Sequence, residues 1–189
     1  MIVGLDISTS CTGISLLYDD GTYFSIHHVD MKDEKSFYKK VDMVIKKLLE
    51  IVPFPYPVPK FYVEAPLLVF KMRASMASTI ALLQRFNAAV CYAIYSLWKI
   101  EPIHVSVISA RKTVGIEMPK KKKKAQIKPI VFAYVRSLKV IPESEWAFKK
   151  TGNPKDWVYD RCDAYVIARA AYEGLKNEKK GGEKTSPKA

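Results

Sequence analysis

The chain opens Met1-Ile-Val-Gly-Leu-Asp6-Ile-Ser-Thr-Ser-Cys-Thr-Gly-Ile14, and the reading of this stretch governs the rest. Ile2–Ile7 is a short apolar run bounded by turn residues, the pattern of a central strand. It carries one acid, Asp6, near its end, and a hydroxyl-rich turn and a glycine follow. A carboxylate in an apolar run is costly to bury unless something pairs with it. A metal ion is the usual partner, so the remaining chain reads as a scaffold that brings more carboxylates to Asp6.

Working outward, Ile14–Tyr18 is a second short strand, Asp19-Asp20-Gly21 a tight turn, and Thr22–Val29 a third strand. The three make an antiparallel meander. His27 and His28, neighbours on the third strand, point to opposite faces and are expected as a surface pair. Glu34–Ile51 is helical: Phe37, Val41, Val44, Ile45, Leu48 and Leu49 keep the helical period, and Lys39, Lys40, Lys46 and Lys47 take the other side. Pro53, Pro55, Pro57 and Pro59 then form a stiff, extended connector.

Lys60–Ala65 is a fourth strand that repeats the oddity of the first, with Glu64 at the end of an apolar run. A strand–helix–strand order places it parallel to the first strand, so that Glu64 faces Asp6 across the sheet end. Pro66 closes it. Leu67-Leu68-Val69-Phe70 is read either as core packing or as an apolar wedge against bases.

From Lys71 to Ile100 there is no Gly or Pro. Met76, Ile80, Leu83, Asn87, Val90, Ile94 and Leu97 form the dominant seam of a long helix, and Leu82, Phe86, Ala89 and Ala93 give it a second apolar side. One side suits the sheet and the other a partner subunit; complete burial in one subunit is the alternative. His104–Ile108 reads as a fifth strand, and Ser109–Gly115 as a basic segment at its exit. Lys120–Lys124 is an unbroken lysine run whose self-repulsion calls for an anion, here phosphate. A helix over Ala125–Leu138 and an irregular stretch over Val140–Pro154 follow. Asp156 caps the last helix, Trp157–Leu175, whose first turns carry Asp160 and Asp163 on one face. Ala164, Ile167, Ala168 and Ala171 continue its buried side. Residues 1–175 read as one domain, and 176–189 as a disordered basic tail.

The totals narrow the partners. Of 189 residues, 31 are Lys or Arg against 19 acids, a net charge of +12 that favours nucleic acid first and an anionic membrane surface second. Cys11, Cys91 and Cys162 are far apart and lack CxxC spacing, which argues against a zinc site and a disulfide framework. Ser, Thr, Gln, Arg and Asn interrupt the apolar stretch at 74–98 and argue against a membrane span. Met1 leads straight into a strand, so no signal peptide is expected, and a reducing cytoplasm is the expected setting.

Asp6, Glu64, Asp160 and Asp163 stand out together. In a basic protein they read as a carboxylate nest for Mg²⁺ or Mn²⁺, which prefer hard oxygen ligands. Two such ions about 4 Å apart can clamp a phosphodiester. Without metal, carboxylates this close repel and some stay protonated. The expected fold class is α/β: a five-stranded mixed sheet, three antiparallel strands then two parallel, flanked by helices. That order matches the ribonuclease H-like arrangement.

Four segments carry a family resemblance. Gly4-Leu-Asp-Ile-Ser-Thr-Ser-Cys-Thr-Gly13, Val63-Glu-Ala65, Arg111-Lys-Thr-Val-Gly115 with Lys124-Ala-Gln-Ile127, and Asp160-Arg-Cys-Asp-Ala-Tyr-Val-Ile-Ala168 resemble, in order, the motifs of the RuvC-like Holliday junction resolvases. The chain looks closest to the phage branch of that family, and the match spans residues 2–173. The resemblance implies a metal-dependent endonuclease, with two ions per active site, that dimerises through the long helix and nicks opposite strands of a four-way DNA junction. It gives Asp6, Glu64, Asp160 and Asp163 the catalytic and metal-binding places. Lys112 and Lys124 take its DNA-contacting basic places, with Arg111 beside them. Phe70 takes the place of an aromatic that inserts at the junction, and Arg73, Lys120, Lys121, Lys122 and Lys123 join the DNA-contacting set. The sequence departs from the pattern in Pro66 and its apolar tetrad, the lysine run, the insert at Pro142–Pro154 and the tail. Three rivals share features: a nuclease of wider taste for flaps and bubbles, a non-catalytic DNA-binding relative, and an actin-like ATPase. The last shares the Asp-x-x-Ser/Thr-x-x-x-Gly opening but normally needs two domains.

Overall fold

Strand alternation decides which way each acid faces. Val3 and Leu5 of strand β1 (Ile2–Asp6) join one core, while Ile2 joins the other and Gly4 lies against the last helix. By the same two-residue period, Asp6 belongs to the Gly4 face. On strand β4 (Lys60–Glu64), Phe61 and Val63 take the first face and Tyr62 the second, so Glu64 follows Tyr62. Both strand-end acids therefore look toward the same helix.

The computed structural model describes residues 1–52, 58–66, 74–118 and 126–182. Prolines 53–57, the tetrad Leu67–Phe70, Arg73 and Lys120–Lys124 lie outside the described residues. The remaining elements are β2 (Cys11–Leu17), β3 (Tyr23–Asp30), α1 (Phe37–Ile51), α2 (Ala74–Trp98), β5 (Ile103–Val105), α3 (Val107–Thr113), α4 (Ile127–Ser137) and α5 (Asp156–Gly182). The sheet runs β3-β2-β1-β4-β5. β1, β2 and β3 pair antiparallel, and β4 and β5 continue parallel to β1, which is the mixed sheet expected from the sequence. β1 and β4 are in register, Leu5 beside Val63, so Asp6 and Glu64 end neighbouring strands together.

Helices cover both faces. On one side α1 and α2 seal Val3, Leu5, Ile14, Leu16, Phe61 and Val63 with Val44, Leu48, Phe86, Val90 and Ile94. Fully burying each such side chain contributes about 1.5–3 kcal/mol. On the other side α4 and α5 cover Ile2, Leu17, Ile26 and Tyr62. Helix α5 comes unusually near the sheet. A β-carbon on Gly4 would fall 2.7 Å from the Ala168 nitrogen, and one on Gly13 2.9 Å from the Arg161 nitrogen. Asp160, Ala164 and Ala168, four residues apart, form the stripe of α5 that these two glycines admit.

Four expectations are corrected. β5 ends at Val105, because Ser106 caps a helix there: its hydroxyl accepts from the Ser109 N–H, and the segment read as a basic exit is α3. On α2 the two expected seams merge into one buried stripe, Phe86, Asn87, Val90 and Ile94, while Leu97 and Leu82 are exposed. α5 continues to Gly182, past the Leu175 where its apolar period stops. His28 is half-buried, its ring stacked on Trp157 at 4.1 Å with 5° between planes. By length and composition alone Ala77–Trp98 would suffice to cross a membrane, but here it packs on the sheet through that stripe.

Candidate active site

The last turn of β1, the end of β4 and the first turns of α5 open on one cavity of about 790 Å³. Asp6, Glu64, Asp160 and Asp163 all line it, together with Arg111 from α3 and Lys128 from α4. The four acids singled out in the sequence are thus brought together from three elements. Lys112, by contrast, is exposed on α3 and does not line the cavity.

Neither strand-end acid forms an ion pair among the described residues. Burial, then repulsion from Asp163, then a hydrogen bond with Glu64 hold the Asp6 carboxyl well above the usual carboxylate range. Glu64 is anchored from behind, where its backbone carbonyl accepts from Nδ2 of the buried Asn87 on α2 at 3.2 Å. A smaller cavity of about 190 Å³ lies between these acids and Leu83, Gln84 and Asn87 of α2.

The helix pair is compensated. Arg111 Nη2 donates to Asp163 Oδ1 at 2.8 Å, with both side chains largely buried. Burial still raises the Asp163 carboxyl, and the guanidinium opposes that rise. Arg111 Nε is buried without a partner, a spare donor beside the acids. Lys128 Nζ donates to Asp160 Oδ1 at 2.8 Å. The charges of Asp160, Asp6 and Asp163 raise the lysine against the lowering effect of its burial. Lys128 was not marked by any sequence motif. Its spacing from Asp160, 32 residues along the chain, gives no local signal.

Helix α5 is held in place by a compact stack. Arg161 Nε donates to His28 Nδ1 at 3.2 Å, and its Nη1 donates to the Glu145 carbonyl at 2.9 Å. Its guanidinium lies 4.4 Å over the Trp157 ring, which also carries His28. Trp157 and Tyr159 line the cavity beside Asp160. The hydroxyl turn after β1 closes on itself, with Ser8 Oγ donating to the Cys11 carbonyl at 2.7 Å and accepting from the Cys11 N–H at 3.2 Å. Burial and the Asp160 charge push up the Cys11 thiol that lines the cavity, which unsuits it as a nucleophile at neutral pH.

Two solved structures match the chain nearly end to end. T. thermophilus RuvC in complex with a Holliday junction substrate aligns over 93% of this chain and 94% of its own, with TM-score 0.55 and 12% identity. A second Thermus thermophilus RuvC structure aligns over 93% and 96%, with TM-score 0.57 and 14% identity. The fold is RuvC-like. No protein-family model and no curated protein matches the sequence.

Within this RuvC-like fold, the donor set suits a hard divalent cation: four carboxylates on one cavity wall, one of them driven toward its neutral form by its neighbours. Among the described residues no group of three or more His, Cys, Asp or Glu closes around a single point as a metal site. The four acids share one cavity, with Asp160 and Asp163 each paired to a side-chain cation.

Proposed function

We propose that the chain is a metal-dependent, structure-selective DNA endonuclease that resolves four-way junctions by paired nicks. One observation carries this reading: Asp6, Glu64, Asp160 and Asp163 converge on one cavity from three separate elements of a RuvC-like fold. The net charge of +12 supplies the electrostatics for a polyanion. In this reading the four acids hold two Mg²⁺ or Mn²⁺ ions, which when bound lower the pKa of water and neutralise the leaving oxygen.

The chain's own residues do the rest. Arg111, with a spare Nε donor, and Lys128 position the backbone beside the acids. The strand-end and helix-borne carboxylates line one cavity, which is the place for the scissile phosphate in this reading. Hydrolysis leaves 5′-phosphate and 3′-hydroxyl ends. Lys112, Lys120–Lys124, Arg73 and Phe70 contact DNA outside the acids. Helix α2, whose Leu82, Tyr92 and Tyr95 are exposed away from its buried stripe, joins two copies so that two sites act on one junction.

The test is cleavage of a labelled synthetic four-way junction in Mg²⁺ and in Mn²⁺, with matched duplex, flap and bubble controls. Paired symmetric nicks confined to the junction are expected. Equal cutting of flap and bubble would move the assignment to a general branched-DNA nuclease. Binding without cutting would point to a non-catalytic relative, and neither binding nor cutting would overturn the reading.

A further inference from the structure

Lys128 sits where a lysine does not help its own helix. It lies in the first turn of α4, where the helix dipole disfavours positive charge, and α4 has no side-chain cap to offset it. Pro129 follows it and fixes the backbone of that turn. What compensates the ammonium is Asp160, 2.8 Å away on a different helix.

The two cations of the site are not equivalent. Arg111 and Asp163 keep 13% and 8% of their side-chain surface, so that pair is fixed. Lys128 keeps 48%, on a flexible four-carbon stem. Asp160 keeps 15%, so this pair opens to solvent on the lysine side only, and a divalent cation at Asp160 competes with an ammonium that has somewhere to go. In its paired position the ammonium already lies in the cavity, 5.9 Å from the centre of the Tyr159 ring.

We propose that Lys128 is a phosphate ligand for the substrate strand that Asp160 holds in reserve until a divalent cation takes its place. This rests on the nuclease reading above. Metal frees the lysine for the DNA backbone, and a backbone phosphate draws the lysine off Asp160 and opens it to metal. By linkage the two effects are equal in size. Metal and DNA thus help each other onto the site through one residue, and a metal-free chain holds its own acid closed.

The test compares wild type, Lys128→Gln, Lys128→Arg and Lys47→Gln, the last an equal charge loss at an ion pair on α1. Mn²⁺ binding without DNA is followed by electron paramagnetic resonance. Junction affinity is measured against KCl concentration, once in Ca²⁺ and once in EDTA. Lys128→Gln is expected to bind Mn²⁺ several-fold tighter, because a competitor is gone. Its junction affinity in Ca²⁺ falls about tenfold, and its salt slope drops by about one. In EDTA both changes are several-fold smaller, by the same factor as the Mn²⁺ shift. Lys128→Arg restores the Ca²⁺ behaviour, and Lys47→Gln moves nothing. A slope change of equal size in Ca²⁺ and EDTA, or none in either, overturns the reserve role while leaving the nuclease assignment standing. Wild type that neither binds nor cuts a junction removes both.

Discussion

Asp6 and Glu64 meet at the sheet end with no ion pair of their own among the described residues, while Asp160 and Asp163 each hold a cation. The same residue types, on one cavity, are built in opposite ways. The strand pair is a reservoir of unfavourable charge, held by backbone register and by Asn87. The helix pair is a set of satisfied ion pairs. In the proposed reading, affinity for an added cation originates at the strand ends, where no ion pair offsets the acids, and is controlled on α5, where resident cations must yield.

The sharpest way to break this contrast is to remove one acid from each half. Asp163→Ala strands the buried Arg111 and is expected to destabilise the chain by about 3–5 kcal/mol, with cleavage lost as well. Asp6→Asn is expected to do the reverse to stability. The Asp6 carboxyl is raised in the folded chain, so its contribution is full below its ordinary pKa of 3.8 and lost as pH rises through the folded value. At neutral pH without metal it opposes folding. Asn removes that opposition, and the melting temperature in EDTA rises by a few degrees, while junction cleavage in Mg²⁺ falls by about 10²–10³-fold or more. Thermal melts of both variants in EDTA check the pair. Melting shifts of the same sign would dissolve the distinction between the halves.

A third substitution tests how the halves are held in reach. Gly4→Ala puts a methyl 2.7 Å from the Ala168 nitrogen and 2.8 Å from its β-carbon, backbone that cannot swing away. Helix α5 must lift off β1, at about 1–3 kcal/mol. Cleavage should fall more than stability does, because Asp160 and Asp163 move away from Asp6. Denaturant unfolding and cleavage, measured together, check this; full activity in a destabilised Gly4→Ala chain would mean that the spacing between the acids is not critical.

These contrasts mark the limit of what the sequence discloses. An acid ending an apolar strand is legible, because period-two alternation and the cost of burying charge point the same way at Asp6 and again at Glu64. The mixed sheet follows from the order of strands and helices. Asp160 and Asp163 are legible from their three-residue spacing on an otherwise apolar helix face. The cations are legible only in part: Arg111 stands out in its basic motif, but its pairing with Asp163, 52 residues away, does not, and Lys128, 32 residues from Asp160 and one among 31 basic residues, carries no local mark. The shortened β5 was hidden because Ser106 reads equally as a strand residue and as a helix cap. The buried stripe of α2 fell between two apolar seams, each of which satisfies the helical period as well as the other.

His28 offers the smallest effect and a separate handle on the helix half. It accepts a hydrogen bond from Arg161 at Nδ1, so protonating that nitrogen breaks the bond and sets a second positive charge against the guanidinium. Burial first, and Arg161 next, push its pKa from 6.5 down to about 4. A lowered histidine contributes stability that is full above 6.5 and is lost as pH falls toward about 4. Over part of that window the raised Asp6 and Asp163 act in the opposite direction, gaining stability as they take up protons. Wild type alone therefore mixes the two halves. His28→Phe keeps a ring on Trp157 but cannot titrate, so its melting temperature should fall less than that of wild type between about pH 7.5 and about pH 4.5. The difference between the two curves isolates the stack that holds Trp157 and Arg161, and with them the first turns of α5. Parallel curves would mean that Arg161 does not depend on neutral His28, and that the helix half is fixed by its glycine contacts with the sheet instead.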